Sequence, residues 1–299
     1  MDGLLIIDKP AGPTSHDVVA RMRRVLGEKR IGHTGTLDPN ASGVLPLVVG
    51  RATRLARFLS GGTKTYDAVV RFGVATDTYD ADGTAAGAPF AGPPPARDAI
   101  DGALDAFRGT FMQQPPAYSA KKIDGERSYK AARKGGAAAP ALPAPVSVTV
   151  HHLELAGVDG DEATLRVECS AGFYVRSLAH DLGARLGTGA HLSALRRTVS
   201  AGLTLDEAMP LEFAERSRDD AIGAMLPLEA MLLQFSAVVL TDDGLLRVLH
   251  GRDIGAAQAS AGSCEATGPV RLVDQAGQLV GIAEPTGVPG VLHPSVVLR

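Results

Sequence analysis

The sequence predicts an α+β fold in two parts, residues 1–234 and residues 235–299. Three observations carry this reading. Alternating, strand-like stretches and helix-spaced apolar stretches are interleaved without the strict strand-helix-strand rhythm of a parallel α/β sheet. The chain has 299 residues and is 45% hydrophobic, which is enough apolar material for one large core or two smaller ones. Around Phe235 the pattern changes to short apolar runs separated by glycines, as in a compact β-rich unit of roughly 60 residues, near the lower limit for an independent core.

Taken in order, Leu4-Leu5-Ile6-Ile7 is a short buried strand, ended by Pro10. Thr14 with Asp17 three residues later predicts a capped helix start, and Gly27 predicts its end. Val18, Val19, Met22 and Leu26 fall on the core side of that helix, which leaves Arg21, Arg23 and Arg24 for solvent or a polyanion. A second helix is predicted over 51–60, stopped by Gly61-Gly62. Residues 64–74 alternate as a strand, with Tyr66, Ala68, Val70 and Phe72 on one side and Thr65, Asp67, Val69 and Arg71 on the other. Residues 85–95 and 135–145 are too rich in Ala, Gly and Pro for long regular elements. A helix carrying Tyr129, Lys130 and Ala132 is expected after Arg127. Residues 146–155 and 163–169 alternate as paired strands, and 173–186 reads as a helix closed by Gly187. Beyond Phe235, strands are expected at 237–240, 270–273, 279–283 and 296–298, with a helix at 242–250.

Composition excludes several classes of function. The longest apolar run near the start is cut by Asp8-Lys9-Pro10, far short of a signal segment or a spanning helix, so a cytoplasmic protein without membrane attachment is expected. Two cysteines, Cys169 and Cys264, and eight histidines without His-x-x-x-His or Cys-x-x-Cys spacing predict no metal site. Cys169 has no neighbour in sequence that would activate a thiol, so it reads as a small buried residue. The net charge of −3 argues against a nucleic-acid partner only until its distribution is considered. Residues 1–64 hold ten Lys and Arg against five Asp and Glu. A second cluster, Lys121, Lys122, Arg127, Lys130, Arg133 and Lys134, has only Asp124 and Glu126 beside it. Either could be a solvated helix face; together they point to a polyanion.

The most informative stretch runs from Gly32 to Pro46, Gly-His-Thr-Gly-Thr-Leu-Asp-Pro-Asn-Ala-Ser-Gly-Val-Leu-Pro. Small and turn-forming residues flank Asp38 on both sides, so the backbone can turn tightly and hold one carboxylate on a ligand-accessible edge. It is not the phosphoaspartate motif D-K-T-G-T, because Gly32 stands where that aspartate would be. Nor is it a P-loop, since no Gly-Lys-Ser/Thr follows the glycines.

The stretch matches G-H-T-G-x-L-D-P-x-A-x-G-x-L and so resembles the signature loop of the TruB family, the bacterial tRNA pseudouridine synthases that act on a T-loop uridine. Pro115-Pro116-Ala117-Tyr118-Ser119-Ala120-Lys121-Lys122-Ile123-Asp124-Gly125 resembles the same family's inserted thumb, at about residues 113–145, which grips the T-arm. Tyr174-Val175-Arg176 and Leu195-Arg196-Arg197-Thr198 resemble two further family segments, and the likeness spans most of residues 3–210. It implies a mixed, largely antiparallel pseudouridine synthase domain followed by a PUA-like RNA-binding domain. By resemblance Asp38 is the catalytic carboxylate, Arg176 its partner, Tyr66 the tyrosine that stacks on the target base, and His33 the ring that fills the space the flipped base leaves. Gly32, Thr34, Gly35, Tyr118, Lys121, Lys122, Arg127, Tyr174 and Arg196 are expected to contact RNA. Lys9 is placed at the rim, as an RNA contact or a structural residue.

The chemistry suits these residue types. Pseudouridine formation breaks the N1-glycosidic bond, turns the uracil and joins C5 to the ribose without redox change, so no cofactor is expected. It needs a carboxylate, an acceptor for the C5 proton and access to a stacked base. An arginine orients a carboxylate through its planar fork, and a tyrosine offers a π-face of about 1–3 kcal/mol against a base. The expected partner is tRNA, bound by a monomer with no obligate protein partner. Two alternatives remain at this point: a non-catalytic RNA-binding or tRNA-folding protein, and a pseudouridine synthase acting on another RNA.

Overall fold

A computed structural model describes residues 1–118 and 142–298, together with the backbone of two short strands at 122–123 and 126–127. The fold is α+β. Strand β1 (Gly3–Lys9) leads to α1 (Ser15–Leu26), β2 (Ile31–His33), β3 (Ala41–Val49), α2 (Ala56–Ser60) and β4 (Lys64–Phe72). Then follow α3 (Arg97–Leu104), β5 (Gly109–Gln113), the ladder β6 (Lys122–Ile123) and β7 (Glu126–Arg127), β8 (Val146–Asp159) and β9 (Glu162–Cys169). Helix α4 (Val175–Arg185), β10 (Ala190–Ser200), β11 (Leu203–Thr204), β12 (Met209–Pro210), α5 (Leu211–Arg216) and α6 (Arg218–Gly223) complete the first part. The strands form one sheet in the order β12-β1-β3-β10-β4-β9-β8-β5, with β2 on β3 and β11 on β10. Its decisive pairing is the parallel contact of β3 with β10, which joins segments far apart in sequence.

Alternation within β1 explains its unbroken apolar run. Leu5 and Ile7 point into a core shared with Val18, Val19 and Met22 of α1 and Leu178 and Leu182 of α4. Leu4 and Ile6 point the other way, onto a second core with Val44, Val48, Leu55 and Leu59. Both faces of this part of the sheet are therefore buried, which is why Leu4 to Ile7 run apolar without a break.

The second core is completed by Val273, Leu279, Ile282, Val296 and Leu298 from the C-terminal region. That region forms its own sheet in the order β14 (Ala259–Ala261), β13 (Ala237–Leu240), β15 (Val270–Val273), β16 (Leu279–Pro285), β17 (Leu292–Val297), with α7 (Asp242–Leu249) against it. A third core, including Val238, Leu240, Val248, Leu272 and Val280, lies inside it. No helix among the described residues is long and apolar enough to cross a membrane.

Several expectations hold residue by residue. Thr14 caps α1 in a reciprocal capping box with Asp17, and Gly27 ends it at φ 66°. The strand at 64–72 buries Tyr66, Ala68, Val70 and Phe72 as its alternation requires. Others change. Residues 50–55 wind as a 3₁₀ turn before α2, and α4 begins only at Val175 because Tyr174 is extended (φ −111°, ψ 110°). Strand β3 escaped the sequence reading because Gly43 and Pro46 look like breakers. Pro46 stands opposite Ile6 of β1, and on its other edge it falls between the β10 ladder at 41–43 and the β2 ladder at 47–49, a gap that tolerates its missing N–H.

Several cations of the basic N-terminal stretch also bond within the protein. Arg23 Nη2 donates to the Ile31 carbonyl at 2.8 Å, and Arg21 pairs with Glu215 at 3.5 Å. Arg51 donates to the Leu298 carbonyl at 2.8 Å, Arg54 to the Val297 carbonyl, and Arg57 pairs with Glu284 at 2.6 Å. Lys9 and Lys64 are buried. Arg23, Arg51, Arg54 and Arg57 make these bonds while exposed, so most of the local cation excess both braces the protein and faces solvent. The expected helix at 129–132 lies outside the described residues.

Candidate active site

Asp38 sits in the loop between β2 and β3, and four independent contacts fix that loop. Ser15 Oγ, buried at the start of α1, accepts from the Leu37 N–H at 2.8 Å and donates to the Leu37 carbonyl at 3.0 Å. Lys9 Nζ donates to the carbonyls of Pro10 at 2.9 Å and Pro39 at 3.0 Å. The Gly12 N–H donates to the Pro39 carbonyl at 2.8 Å. Arg197, 1% exposed, donates from Nη2 to Gly35 O at 3.0 Å and from Nε to Val44 O at 2.8 Å, so one guanidinium holds both ends of the loop. A loop so rich in turn-formers would otherwise pay a large entropic cost to adopt one shape.

On this platform the Asp38 carboxylate meets Arg176 of α4. Arg176 Nε lies 3.0 Å from Oδ2 and Nη2 3.4 Å from Oδ1, a two-point fork. The partners differ in exposure: the arginine side chain is 7% exposed and the aspartate 42%. The carboxylate is therefore held from behind and open in front. Arg176 also donates from Nη1 to Thr78 O at 3.1 Å and from Nη2 to Tyr118 O at 2.9 Å, and Nη1 lies 3.6 Å from Asp80 Oδ2. Every guanidinium nitrogen has a partner, which is what a buried charge requires.

Asp80 was not anticipated. Burial pushes its carboxyl up, against the opposing hydrogen bond from Thr78 and the charge of Arg176. Its signal in the sequence was the Thr-Asp-Thr-Tyr-Asp-Ala-Asp-Gly run at 76–83, a turn with an acidic residue at each bend. Ser15 and Arg197 were missed as site residues too, Arg197 although its segment had been singled out.

An open cleft lies in front of the pair, lined among others by Asp38, Asn40, Asp80, Arg176, Leu192 and Leu195. Tyr66 is 8% exposed, on β4 opposite Arg197 of β10. Burial pushes its phenol up, Arg197 pulls it down, and Asp38 lies near enough to add to the rise.

The remaining expected residues divide. His33 is half-buried and meets His16 edge to face at 5.3 Å. Tyr118 meets Arg176 through its carbonyl. Tyr174 is fixed by a reciprocal pair with Gln113, at 2.8 Å to its N–H and 3.0 Å from its carbonyl, which sets where α4 begins. Gly32 and Gly35 are half-buried, and Thr34 is 2% exposed with its N–H given to Pro46 O. Lys9 is wholly buried and so lies inside the wall, out of reach of RNA. Arg196 is engaged by Asp8 at 2.8 and 3.2 Å and by Ser42 at 3.4 Å, a brace between β10, β1 and β3. Lys121 and the side chains of Lys122 and Arg127 lie outside the described residues. Among the described residues no group of three or more His, Cys, Asp and Glu could hold a metal ion.

Comparison with known proteins adds an independent observation. The family model for the TruB family pseudouridylate synthase (N terminal domain) matches residues 23–175. The tRNA pseudouridylate synthase B C-terminal domain matches residues 176–233, and the Pseudouridine synthase II TruB, C-terminal, matches residues 236–298. The chain is 44% identical over 303 residues to the tRNA pseudouridine synthase B of Solibacter usitatus, covering 100% of both chains. It is 43% identical over 300 residues to that of Gloeobacter violaceus, covering 100% of this chain and 99% of the other. Among solved structures, a chain from a Cbf5-Nop10-Gar1 complex superposes with a TM-score of 0.74 at 27% identity, over 99% of this chain and 85% of that one.

Proposed function

The chain belongs to the TruB family of pseudouridylate synthases, and on that premise we infer that it converts a uridine of tRNA to pseudouridine in the cleft before Asp38. The activity rests on relatives that match along their full length, and it sets aside a non-catalytic RNA-binding role. The observation that carries the site assignment is the Asp38–Arg176 pair. A buried, fully partnered guanidinium holds by two points a carboxylate that faces an open cleft.

The reaction is an isomerisation, with every atom of the uridine kept and no electrons gained or lost. What it needs from the protein is position and charge. The target base must leave its stack, at a cost of a few kcal/mol, before its glycosidic bond can be reached. Asp38 acts at the nucleoside, with Arg176 fixing the direction of its lone pairs. Arg176 is spent on orientation, since its own nitrogens are occupied. The Tyr66 ring is the aromatic group assigned to the base, where stacking contributes about 1–3 kcal/mol. Its hydroxyl is kept neutral, because burial pushes the phenol up more than the neighbouring Arg197 pulls it down, and it serves the base as a hydrogen-bonding group.

The substrate we assign is the T-arm, with the T-loop uridine as target. Residues 1–234 are the catalytic domain, and residues 235–299 are an RNA-binding domain that extends the contact. The protein acts as a monomer in the cytoplasm. The test is incubation of the purified protein with an unmodified tRNA transcript, mapping pseudouridine by carbodiimide-dependent primer-extension stops. A single T-loop stop made by the wild type and absent with Asp38→Asn, at unchanged tRNA affinity, is expected. Pseudouridine formed by Asp38→Asn would remove Asp38 from the mechanism; a stop elsewhere would move the substrate site.

A further inference from the structure

Two of the groups that hold Arg176 come from a single tight turn, and the residue between them is unusual. Tyr79 separates Thr78, whose carbonyl accepts from Arg176 at 3.1 Å, from Asp80, whose carboxylate lies 3.6 Å from the same nitrogen. Its φ is 66°, in the left-handed region, where the Cβ of a bulky residue crowds the following carbonyl. That conformation reverses the chain, so two consecutive acceptors reach one guanidinium. The turn is closed by the Tyr79 N–H to Thr76 O at 3.3 Å, by Thr76 Oγ1 to Asp80 O at 2.7 Å and by Thr78 Oγ1 to Asp80 Oδ1 at 2.5 Å.

What holds Tyr79 in place is a ring. Its phenol lies flat on the His180 imidazole, centroids 3.8 Å apart and planes 13° apart. His180 stands four residues after Arg176 on α4, hence one turn along and on the same side of the helix. Burial pushes the imidazole down, which favours a neutral ring in the stack. Neither residue lines the cleft.

We propose that Tyr79 and His180 form a positioning pair, which locks the 78–80 turn to α4 so that Arg176 keeps its Nε edge turned to Asp38. The stack offsets the strain of the left-handed tyrosine and makes the turn and the helix one rigid piece. Neither ring touches the reacting base; the pair acts through Arg176. This rests on the assignment of the Asp38–Arg176 pair as the active site.

The experiment is single-turnover pseudouridine formation on an unmodified tRNA transcript, with tRNA Kd measured by filter binding and Tm by scanning fluorimetry. Tyr79→Gly accepts the φ but removes the ring, and His180→Ala removes the other half of the stack. Each is expected to slow the chemical step by about tenfold with Kd within about twofold, the scale of a small misplacement of a reacting group. The double variant should be no slower than either single one, because both remove the same contact. Tyr79→Phe, which keeps the stack, should restore the rate. Wild-type rates in Tyr79→Gly and His180→Ala, multiplicative losses in the double variant, or a loss of Kd or Tm that parallels the loss of rate would overturn the proposal. Asp38→Asn run alongside separates the two readings: turnover there discards the active-site assignment itself.

Discussion

At the residue scale, the molecule divides its charged groups by task. Arg176 is buried and spent on holding Asp38, whereas Asp38 is open to a ligand. Arg176→Lys keeps the charge and loses the fork, because an ammonium cannot meet two carboxylate oxygens and two carbonyls in one plane. Turnover should fall at least about a hundredfold with tRNA affinity kept, the order expected when a reacting group is misplaced by about 1 Å. Near-normal turnover would show that charge alone suffices. Lys9 offers a test by pH. Burial pushes its ammonium down to about 8, against the pull of Asp38. Above that pH the folded chain carries Lys9 neutral, while the unfolded chain still binds the proton up to its ordinary value of 10.5. The unfolded state then binds more protons, so this residue's contribution to stability rises from about pH 8 to 10.5. The difference in unfolding free energy between wild type and Lys9→Met, followed from pH 7 to 10.5, should therefore shift in favour of the wild type. A flat difference would mean that Lys9 keeps its proton in the folded chain over that range.

At the scale of elements, the site depends on how closely β3 approaches β10. Gly43 sits in that contact at φ 103°, and a Cβ there would fall 2.1 Å from the Arg197 carbonyl oxygen. Gly12 has a similar φ of 111° with nothing nearby. Gly43→Ala therefore carries strain plus a backbone clash, and Gly12→Ala carries strain alone. Chemical denaturation should give a loss of about 3 kcal/mol or more for the first and at most about half of that for the second. Equal losses would show that the strands can separate at little cost. The separation would also move Arg197, and with it both ends of the Asp38 loop.

At the scale of the whole molecule, the C-terminal sheet is fastened to the first part by an apolar core and by arginines. Leu298 and Val296 fill the face of β1 and β3 that would otherwise meet water, and Arg51, Arg54 and Arg57 hold the last strand and Glu284. Two parts sharing one core should unfold together. Differential scanning calorimetry should show a single transition with equal calorimetric and van't Hoff enthalpies. Leu298→Ala should cost about 2–5 kcal/mol, although the residue is next to last and far from the cleft. Two resolved transitions would mean that the shared core adds little.

The sequence by itself determined what is local. Capping at Thr14 and Gly27, alternation over residues 64–72, the turn chemistry around Asp38 and the change of pattern near Phe235 each depend on neighbours a few residues apart. The turn chemistry also marked Asp38, and the family resemblance marked Arg176 as its partner. Tertiary structure decided what depends on distance. It made Lys9, expected as an RNA contact or a structural residue, a buried prop, and it tied the half-exposed Arg196 to Asp8, because burial and partner choice are set by strands that meet from opposite ends of the sequence. It added Ser15, Asp80 and Arg197 to the site by carrying α1, the 76–83 turn and β10 to one loop. It made β3 a central strand despite Gly43 and Pro46, whose fitness is visible only once the neighbouring ladders are known. Charge on a side chain is a property of the sequence. Whether that charge faces water, a backbone carbonyl or a substrate is a property of the packing around it.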